Sequence, residues 1–211
     1  MSVGVTSAHR AQSEIRIKNL FSALCSEEEA ERIAKEVAEC FGSIDALFVT
    51  PEEVVRAMWG ERISSFVRIV AAVCARRGME RFECSKLRSR SSICEYLKYA
   101  FLGECIEMVK AMPLDDRGVP ICCKTCVVGT VNASDVTVRS IAEIAFAHNS
   151  KRVVIAHNHP RGDVAPSKAD IALTQNLRQA LLAVGITLEY HVVVAGMECE
   201  LADESFFDSE D

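Results

Sequence analysis

Residues 153–170 read VVIAHNHPRGDVAPSKAD, and this stretch decides the fold of the chain. Its first four residues are apolar, which predicts a short strand that is buried on both faces. Apolar residues at helical spacing follow it, and they predict a helix from Lys168 to about Val184. The spaced residues are Leu173, Leu177, Ala180, Leu181 and Val184. A strand that leads into a helix places the loop between them at a strand end, where α/β folds bind ligands.

The loop carries the side chains of a candidate metal site. His157 and His159 are two residues apart on extended backbone, so both imidazoles point to the same side. Asp170 follows in the first turn of the predicted helix. Two imidazoles and a carboxylate suit Zn²⁺ and leave a fourth position for water, which is the pattern of a catalytic zinc site. The alternative is structural: Ser167-x-x-Asp170 is also a capping box in its Asp variant.

These motifs resemble those of the RadC family, a branch of the JAMM (MPN+, JAB1-type) metallopeptidases. The family pattern is a glutamate on an early strand, then His-x-His-Pro and then Ser-x-x-Asp, and residues 157–160 and 167–170 match its second part. Glu107 matches the glutamate because Leu114-Asp115 follows it at the family's spacing, whereas Glu104 lies too early. The resemblance is clear over about 92–205 and faint over about 26–77.

The resemblance implies a mechanism and a cofactor. His157, His159 and Asp170 would bind Zn²⁺, which lowers the pKa of a bound water to about 7. Glu107 would accept the proton of that water and pass it to the leaving nitrogen, and the Ser167 hydroxyl would donate to the developing oxyanion. The implied activity is hydrolysis of a peptide or isopeptide bond without a covalent intermediate. A histidine–serine–carboxylate triad is the weaker alternative, because Ser167 lacks a nucleophile-elbow sequence.

The chain departs from the family pattern at three places. Arg161 stands where relatives carry Ser, and residues 137–140 (TVRS) replace His-Pro-Arg-Glu. Residues 189–191 (EYH) replace Leu-Asp-His, so that only His191 is kept. We expect His191 to be a packed strand histidine rather than a residue that orients a metal ligand.

Together with this resemblance, the sequence predicts an α/β fold of JAB/MPN type, which is cytidine-deaminase-like. It consists of a mixed β-sheet flanked by helices and preceded by a small helical module. The predicted order is an N-terminal extension (1–25), a helical module resembling a degenerate helix-hairpin-helix (26–84), a linker (85–92), the RadC/JAB (MPN+) domain (93–205) and an acidic tail (206–211).

The helical module bears on a second functional class, a non-catalytic or DNA-associated accessory protein. Helix-hairpin-helix modules that bind DNA offer a Gly-x-Gly hairpin whose backbone amides hold phosphate. This chain has Trp59-Gly60-Glu61-Arg62, which lacks one glycine and places an acidic residue where phosphate would approach. A packing module is therefore favoured over a DNA clamp. Catalysis is favoured over binding alone, because a binding site has no need of Glu107 as a base.

Composition sets the expected partners and compartment. The 211 residues are 49% hydrophobic without a long apolar run, which argues against a transmembrane protein. The polar start of the chain lacks the apolar core of a signal peptide, so we expect a cytoplasmic protein with reduced thiols. The net charge of -6 argues against a strongly nucleic-acid-binding surface. The expected partners are a peptide or protein-conjugate substrate, weak or no nucleic acid and no membrane, with a homodimer left open.

Ten cysteines raise the question of a second metal site. Cys122-Cys123-x-x-Cys126 is the only cluster that resembles one, since a Cys-x-x-Cys pair can hold zinc. No second pair and no nearby histidine completes a four-ligand set in the sequence, and the run around it is strand-like. Small hydrophobic packing is the favoured interpretation.

Overall fold

The structure is a computed structural model that describes residues 7–83, 87, 89–129, 138–160 and 163–202. Its helices are α1 (Ser7–Phe21), α2 (Glu27–Cys40), α3 (Ile44–Phe48), α4 (Glu52–Glu83), α5 (Arg90–Ala100), α6 (Val138–Ala147) and α7 (Lys168–Ala183). Its strands are β1 (Met108–Leu114), β2 (Lys124–Val128), β3 (Arg152–Asn158), β4 (Thr187–Ala195) and β5 (Glu198–Leu201). The expectations for Arg161, Thr137 and the 206–211 tail lie outside the described residues.

A five-stranded mixed sheet in the order β2-β1-β3-β4-β5 forms the second half of the chain. Strand β3 lies at its centre, antiparallel to β1 and parallel to β4. Because side chains alternate along a strand, Val153 and Ile155 pack with α6 and α7 on one face. Val154 and Ala156 pack with α5 on the other face. The predicted mixed sheet flanked by helices is confirmed, and the run of four apolar residues is explained by a strand covered on both sides.

Helices α1 to α4 form a helical module with a core of its own. Ile17 and Phe21 of α1 are buried in that core, so helix α1, which the sequence analysis places in an N-terminal extension, packs as part of the module. The module also contacts the sheet domain, since Leu102 is buried in the same cluster. Within the described part of the chain, no helix combines the length and apolar content needed to cross a bilayer.

The predicted linker is partly structured where the structure describes it. Leu87 is buried against the sheet domain. Helix α5 begins at Arg90, inside the predicted linker, because Ser89 and Ser92 form a reciprocal capping box. Each serine satisfies a backbone N–H that the first helical turn leaves unpaired, which stabilises the start of the helix at this point.

The helix interruption at Gly60 corresponds to the degenerate hairpin of the sequence analysis. Gly60 has φ 81° inside α4, in the left-handed region that glycine enters without steric cost. The preceding Trp59 is buried, and its Nε1 donates a 2.5 Å hydrogen bond to Glu36. The exposed Glu61 forms an ion pair with Arg56 at 3.3 Å. The turn is therefore fixed by packing, and it presents a carboxylate rather than a pair of free glycine amides.

We expect this module to bind DNA weakly and in a strongly salt-dependent manner. The net charge is -6 and Glu61 repels phosphate, so binding depends on scattered Lys and Arg contacts that release counterions. The measurement is a fluorescence-anisotropy titration of a labelled duplex at low and physiological salt. A Kd at physiological salt well below the ~10⁻⁶ M limit of non-specific binding would contradict the expectation and favour a DNA-associated role.

Candidate metal centre

The central strand and the helix that follows it bring the predicted ligands together. His157 lies near the end of β3 and, like Val153 and Ile155, it points to the face covered by α7. His159 follows the strand, and its backbone N–H donates to Val194 of β4 at 2.8 Å. Asp170 is in the first turn of α7, directly above this strand end. The alternation of side chains along β3 and the start of α7 therefore bring His157, His159 and Asp170 close to one another.

The distances between the three side chains are short. The Nε2 atoms of His157 and His159 are 2.9 Å apart. Asp170 approaches both rings, with Oδ1 3.2 Å from Nε2 of His157 and Oδ2 3.8 Å from Nε2 of His159. One small volume therefore contains two imidazole nitrogens and a carboxylate.

Glu107 borders the same volume from the neighbouring strand. It directly precedes β1, which pairs antiparallel with β3 through Val109 and His157. Continuing that register brings Glu107 opposite His159. Within the described ranges, Glu107, His157 and His159 form a group whose ligand atoms all lie within 4.8 Å of one another, close enough to hold a metal ion.

The hydrogen bonds and pKa shifts around the two histidines and Asp170 show which of their atoms can bind a cation. Nδ1 of His159 is 2.7 Å from the carbonyl oxygen of Asp163, which can only accept, so Nδ1 carries a proton and Nε2 is the ring nitrogen that can bind a metal. Burial lowers the pKa of His157 to about 4, which keeps its ring neutral. Burial alone would raise the pKa of Asp170, but hydrogen bonds from Ser167 and the nearby histidines hold it below the ordinary value. Neutral imidazoles and an ionised carboxylate are the ligand forms that metals bind.

Ser167 caps helix α7 and holds Asp170, as the predicted capping box requires. The Ser167 hydroxyl donates to Oδ2 of Asp170 at 2.6 Å, and the Ser167 backbone N–H donates to the same oxygen at 2.7 Å. In return, the backbone N–H of Asp170 donates to Ser167 Oγ at 3.2 Å. The carboxylate is therefore oriented by two hydrogen bonds, and the one hydroxyl proton of Ser167 lies on it.

Asn158, which the sequence analysis does not single out, holds the backbone around Glu107. Its side chain is buried, and Oδ1 accepts a hydrogen bond from the Met108 N–H at 2.8 Å. Its Nδ2 donates to the carbonyl oxygens of Glu104 and Ile106, each at 3.2 Å. Since this amide contacts the chain on both sides of Glu107, it fixes where that carboxylate is presented. The signal that could have pointed to Asn158 in the sequence is its position between the two histidines of the His-x-His motif.

His191 is a buried histidine of strand β4, as expected, and its ring also contacts the ring of His157. Its Nε2 is 2.9 Å from Nδ1 of His157, the ring nitrogen that faces away from Asp170. The contact arises because β4 lies parallel to β3, and His191, like His157, is directed towards α7. Only the pairing of the two strands reveals this neighbour, since the histidines are far apart in sequence.

The cysteine cluster does not form a metal site in the described structure. Cys123 packs in the core on the α5 face of the sheet and Cys126 packs on the α7 face, so the two thiols point away from each other. Burial raises the pKa of each to about 11. A histidine does lie nearby, contrary to the sequence analysis, since Nε2 of His148 is 3.3 Å from Sγ of Cys122. The predicted packing role is confirmed for Cys123 and Cys126.

We expect the metal-free protein to lose stability as the pH falls from about 6.5 to about 4. Burial lowers the pKa of His157 to about 4 and that of His191 to about 3. The unfolded chain therefore binds protons that the folded chain does not, and each histidine costs roughly 1.4 kcal/mol per pH unit across that window. Urea unfolding in the presence of a chelator at pH 7.5 and pH 5 is the measurement. Equal free energies of unfolding at both pH values would contradict it.

Comparison with known proteins matches the sequence of this chain to one family. The family model described as "RadC-like JAB domain" matches residues 87–205. A UPF0758 protein of Cupriavidus taiwanensis is 32% identical over 176 residues, which cover 82% of this chain and 77% of that protein. One from Xanthomonas campestris is 31% identical over 185 residues, covering 85% and 81%. One from Stenotrophomonas maltophilia is 38% identical over 104 residues, covering 49% of this chain and 44% of that protein.

Proposed function

The chain belongs to the family of RadC-like JAB domain proteins, and from this premise we propose that it is a zinc-dependent hydrolase that cleaves a peptide or isopeptide bond with an activated water. The observation that carries the proposal is the convergence of two histidine nitrogens and an oriented carboxylate beside a second, separate carboxylate. A site that only bound metal would have no need of that second carboxylate. Hydrolysis does, because a proton must leave the attacking water.

His157, His159 and Asp170 would hold the ion. Two imidazole nitrogens and a carboxylate oxygen are a common ligand set of catalytic zinc. When bound, zinc would supply Lewis-acid chemistry, which lowers the pKa of a coordinated water to about 7. Asp170 is preferred to Glu107 as the ligand because two hydrogen bonds from Ser167 already orient its carboxylate towards the rings.

Glu107 acts as the general base in this proposal. Its carboxylate oxygen lies within 4.8 Å of the ligand nitrogens of His157 and His159, which is within reach of a water held at the metal site. It takes the proton of the attacking water and delivers it to the nitrogen of the breaking amide, which then leaves as an amine. Asn158 and the Gly129 N–H, which donates to the Glu107 carbonyl oxygen at 2.8 Å, hold the backbone in place for both transfers.

An open cleft beside His159 gives the substrate room. It has a volume of about 450 Å³ and lies between helix α3 and the turn after β4. Its lining includes Asp45, His159 and Met197. The helical module thus forms one wall of the cleft next to the metal centre, so it contributes to the choice of substrate even without binding DNA.

We expect Ser167→Ala to lower turnover while zinc remains bound. The backbone N–H of Ser167 still donates to Asp170, so the ligand keeps one of its two hydrogen bonds. The hydroxyl is lost both as a helix cap, worth about 1 kcal/mol, and as a donor to the oxyanion once it turns from Asp170. Ser167→Thr keeps the hydroxyl and is the matched control. Zinc analysis and steady-state kinetics are the measurements, and an unchanged kcat for Ser167→Ala would remove Ser167 from the mechanism.

The test of the proposed function is metal analysis followed by a substrate panel. The purified protein is expected to contain one zinc per chain and to cleave at least one member of a panel of short peptides and isopeptide-linked conjugates. Cleavage should stop with a chelator and return with added Zn²⁺. Zinc content without hydrolysis across the panel would favour the accessory, non-catalytic role, and a protein that binds no metal would reject the proposed zinc site itself.

A further inference from the structure

Resting on the proposed function, we infer that His191 and Thr174 are positioning residues that keep the proton of His157 on Nδ1. The lone pair of His157 Nε2 is thereby directed at the metal site. The assignment concerns which ring nitrogen carries the proton, which coordinates alone do not show. It follows from a continuous chain of hydrogen bonds that ends on a group able only to accept.

The chain is buried and runs away from the metal site. From His157 Nδ1 it reaches His191 Nε2 at 2.9 Å. From His191 Nδ1 it reaches the Thr174 hydroxyl at 2.6 Å, and from that hydroxyl the backbone carbonyl oxygen of Asp170 at 2.6 Å. The three side chains are 2%, 1% and 3% exposed for His157, Thr174 and His191, so water does not compete for these contacts.

The direction of every proton follows from the last contact. The carbonyl oxygen of Asp170 has no proton, so the 2.6 Å contact requires the Thr174 hydroxyl to donate to it. A hydroxyl has one proton, and Thr174 must then accept from His191 Nδ1. The neutral His191 ring consequently has a lone pair on Nε2 and accepts from His157 Nδ1. This leaves the His157 Nε2 lone pair facing Asp170 and the Nε2 atom of His159 at 2.9 Å, with no proton of His157 between the two rings, a contact that a cation bound by both nitrogens would stabilise.

The opposite direction would disable the site. A Thr174 hydroxyl that donated to His191 would leave Nε2 of His191 protonated, and His157 would then carry its own proton on Nε2. That proton would occupy the position of the metal. Helix α7 therefore supplies both the Asp170 carboxylate and, through its backbone carbonyl and Thr174, the proton order that makes His157 a ligand. Removal of such outer partners typically lowers metal affinity about 10–100-fold.

The first arm of the test compares Thr174→Val with Thr174→Ser. Valine matches threonine in shape and removes only the hydroxyl, so His191 loses the acceptor for its Nδ1 proton and the opposite proton order is favoured. We expect Thr174→Val to bind zinc about 10–100-fold more weakly in competition with a chromophoric chelator, whereas Thr174→Ser, which keeps the hydroxyl, binds as the wild type does. Wild-type zinc affinity in Thr174→Val would overturn the inference.

The second arm reads the proton directly in the metal-free protein. Nitrogen chemical shifts of ¹⁵N-histidine-labelled protein distinguish the two neutral tautomers, and His157→Gln assigns the signals. We expect the Nδ1–H form of His157 in the wild type and an increased Nε2–H form in Thr174→Val. If His157 of the wild type carries its proton on Nε2 instead, the inferred proton order is refuted. This arm needs neither metal nor substrate, so it separates this inference from the proposed function. If the protein binds no zinc but His157 carries its proton on Nδ1, the inference is supported while the proposed function fails.

Discussion

Glu107→Gln is expected to lower hydrolysis on the order of 10²–10⁴-fold while zinc content stays at the wild-type level. Glutamine preserves the size and polarity of the side chain but cannot take a proton from water. The carboxylate lies within 4.8 Å of the ring nitrogens of His157 and His159, so its basicity is placed where the water would be activated. Because Asp170 and both histidines are unchanged, metal binding should persist. The measurements are kcat on a zinc-dependent substrate and zinc per chain.

Glu104→Gln is the matched control, since the same change is made three residues earlier on a carboxylate that pairs with Lys110 at 3.3 Å. We expect it to retain activity. If Glu107→Gln instead cleaves a zinc-dependent substrate at the wild-type rate, Glu107 is not the base. If Glu104→Gln is the inactive variant instead, the base is Glu104. The assignment of Glu107, which rests on its place opposite His159, would then be wrong.

His159→Ala is expected to abolish zinc binding and, with it, hydrolysis. His159 supplies one of two imidazole nitrogens 2.9 Å apart, and its ring is aligned by the hydrogen bond from Nδ1 to the Asp163 carbonyl oxygen. Loss of a direct ligand should weaken zinc by more than the ~100-fold limit seen when an outer hydrogen-bond partner is removed. Zinc content after dialysis and chelator competition measure the effect. Full zinc content would mean that another residue, with Glu107 the nearest candidate, completes the ligand set.

His148→Ala controls for a general effect of losing a histidine. His148 contacts Cys122 at 3.3 Å and the Ile144 carbonyl oxygen at 2.8 Å, and it follows α6, outside the group of converging ligands. Zinc content and activity should therefore persist in this variant. Zinc loss in both His148→Ala and His159→Ala would indicate that the protein is destabilised rather than that a ligand is missing.

The sequence by itself determined the elements whose signals are local. Four apolar residues at 153–156 predicted a strand covered on both faces, and the spacing after Lys168 predicted α7 to within one residue of its end. The pair of histidines two residues apart and the capping box at Ser167 indicated where the candidate ligands would meet. These patterns depend on strand alternation and helix spacing, which are properties of neighbouring residues.

Other features depended on contacts between distant segments, and only the tertiary structure decided them. Parallel pairing of β3 and β4 puts His191 beside His157, and α7 adds Thr174 to complete a buried chain that no spacing rule encodes. Antiparallel pairing of β1 and β3 lets Asn158 hold the backbone around Glu107. The physical reason is that a buried polar group must find a partner wherever the fold brings one, and sequence distance does not limit that choice.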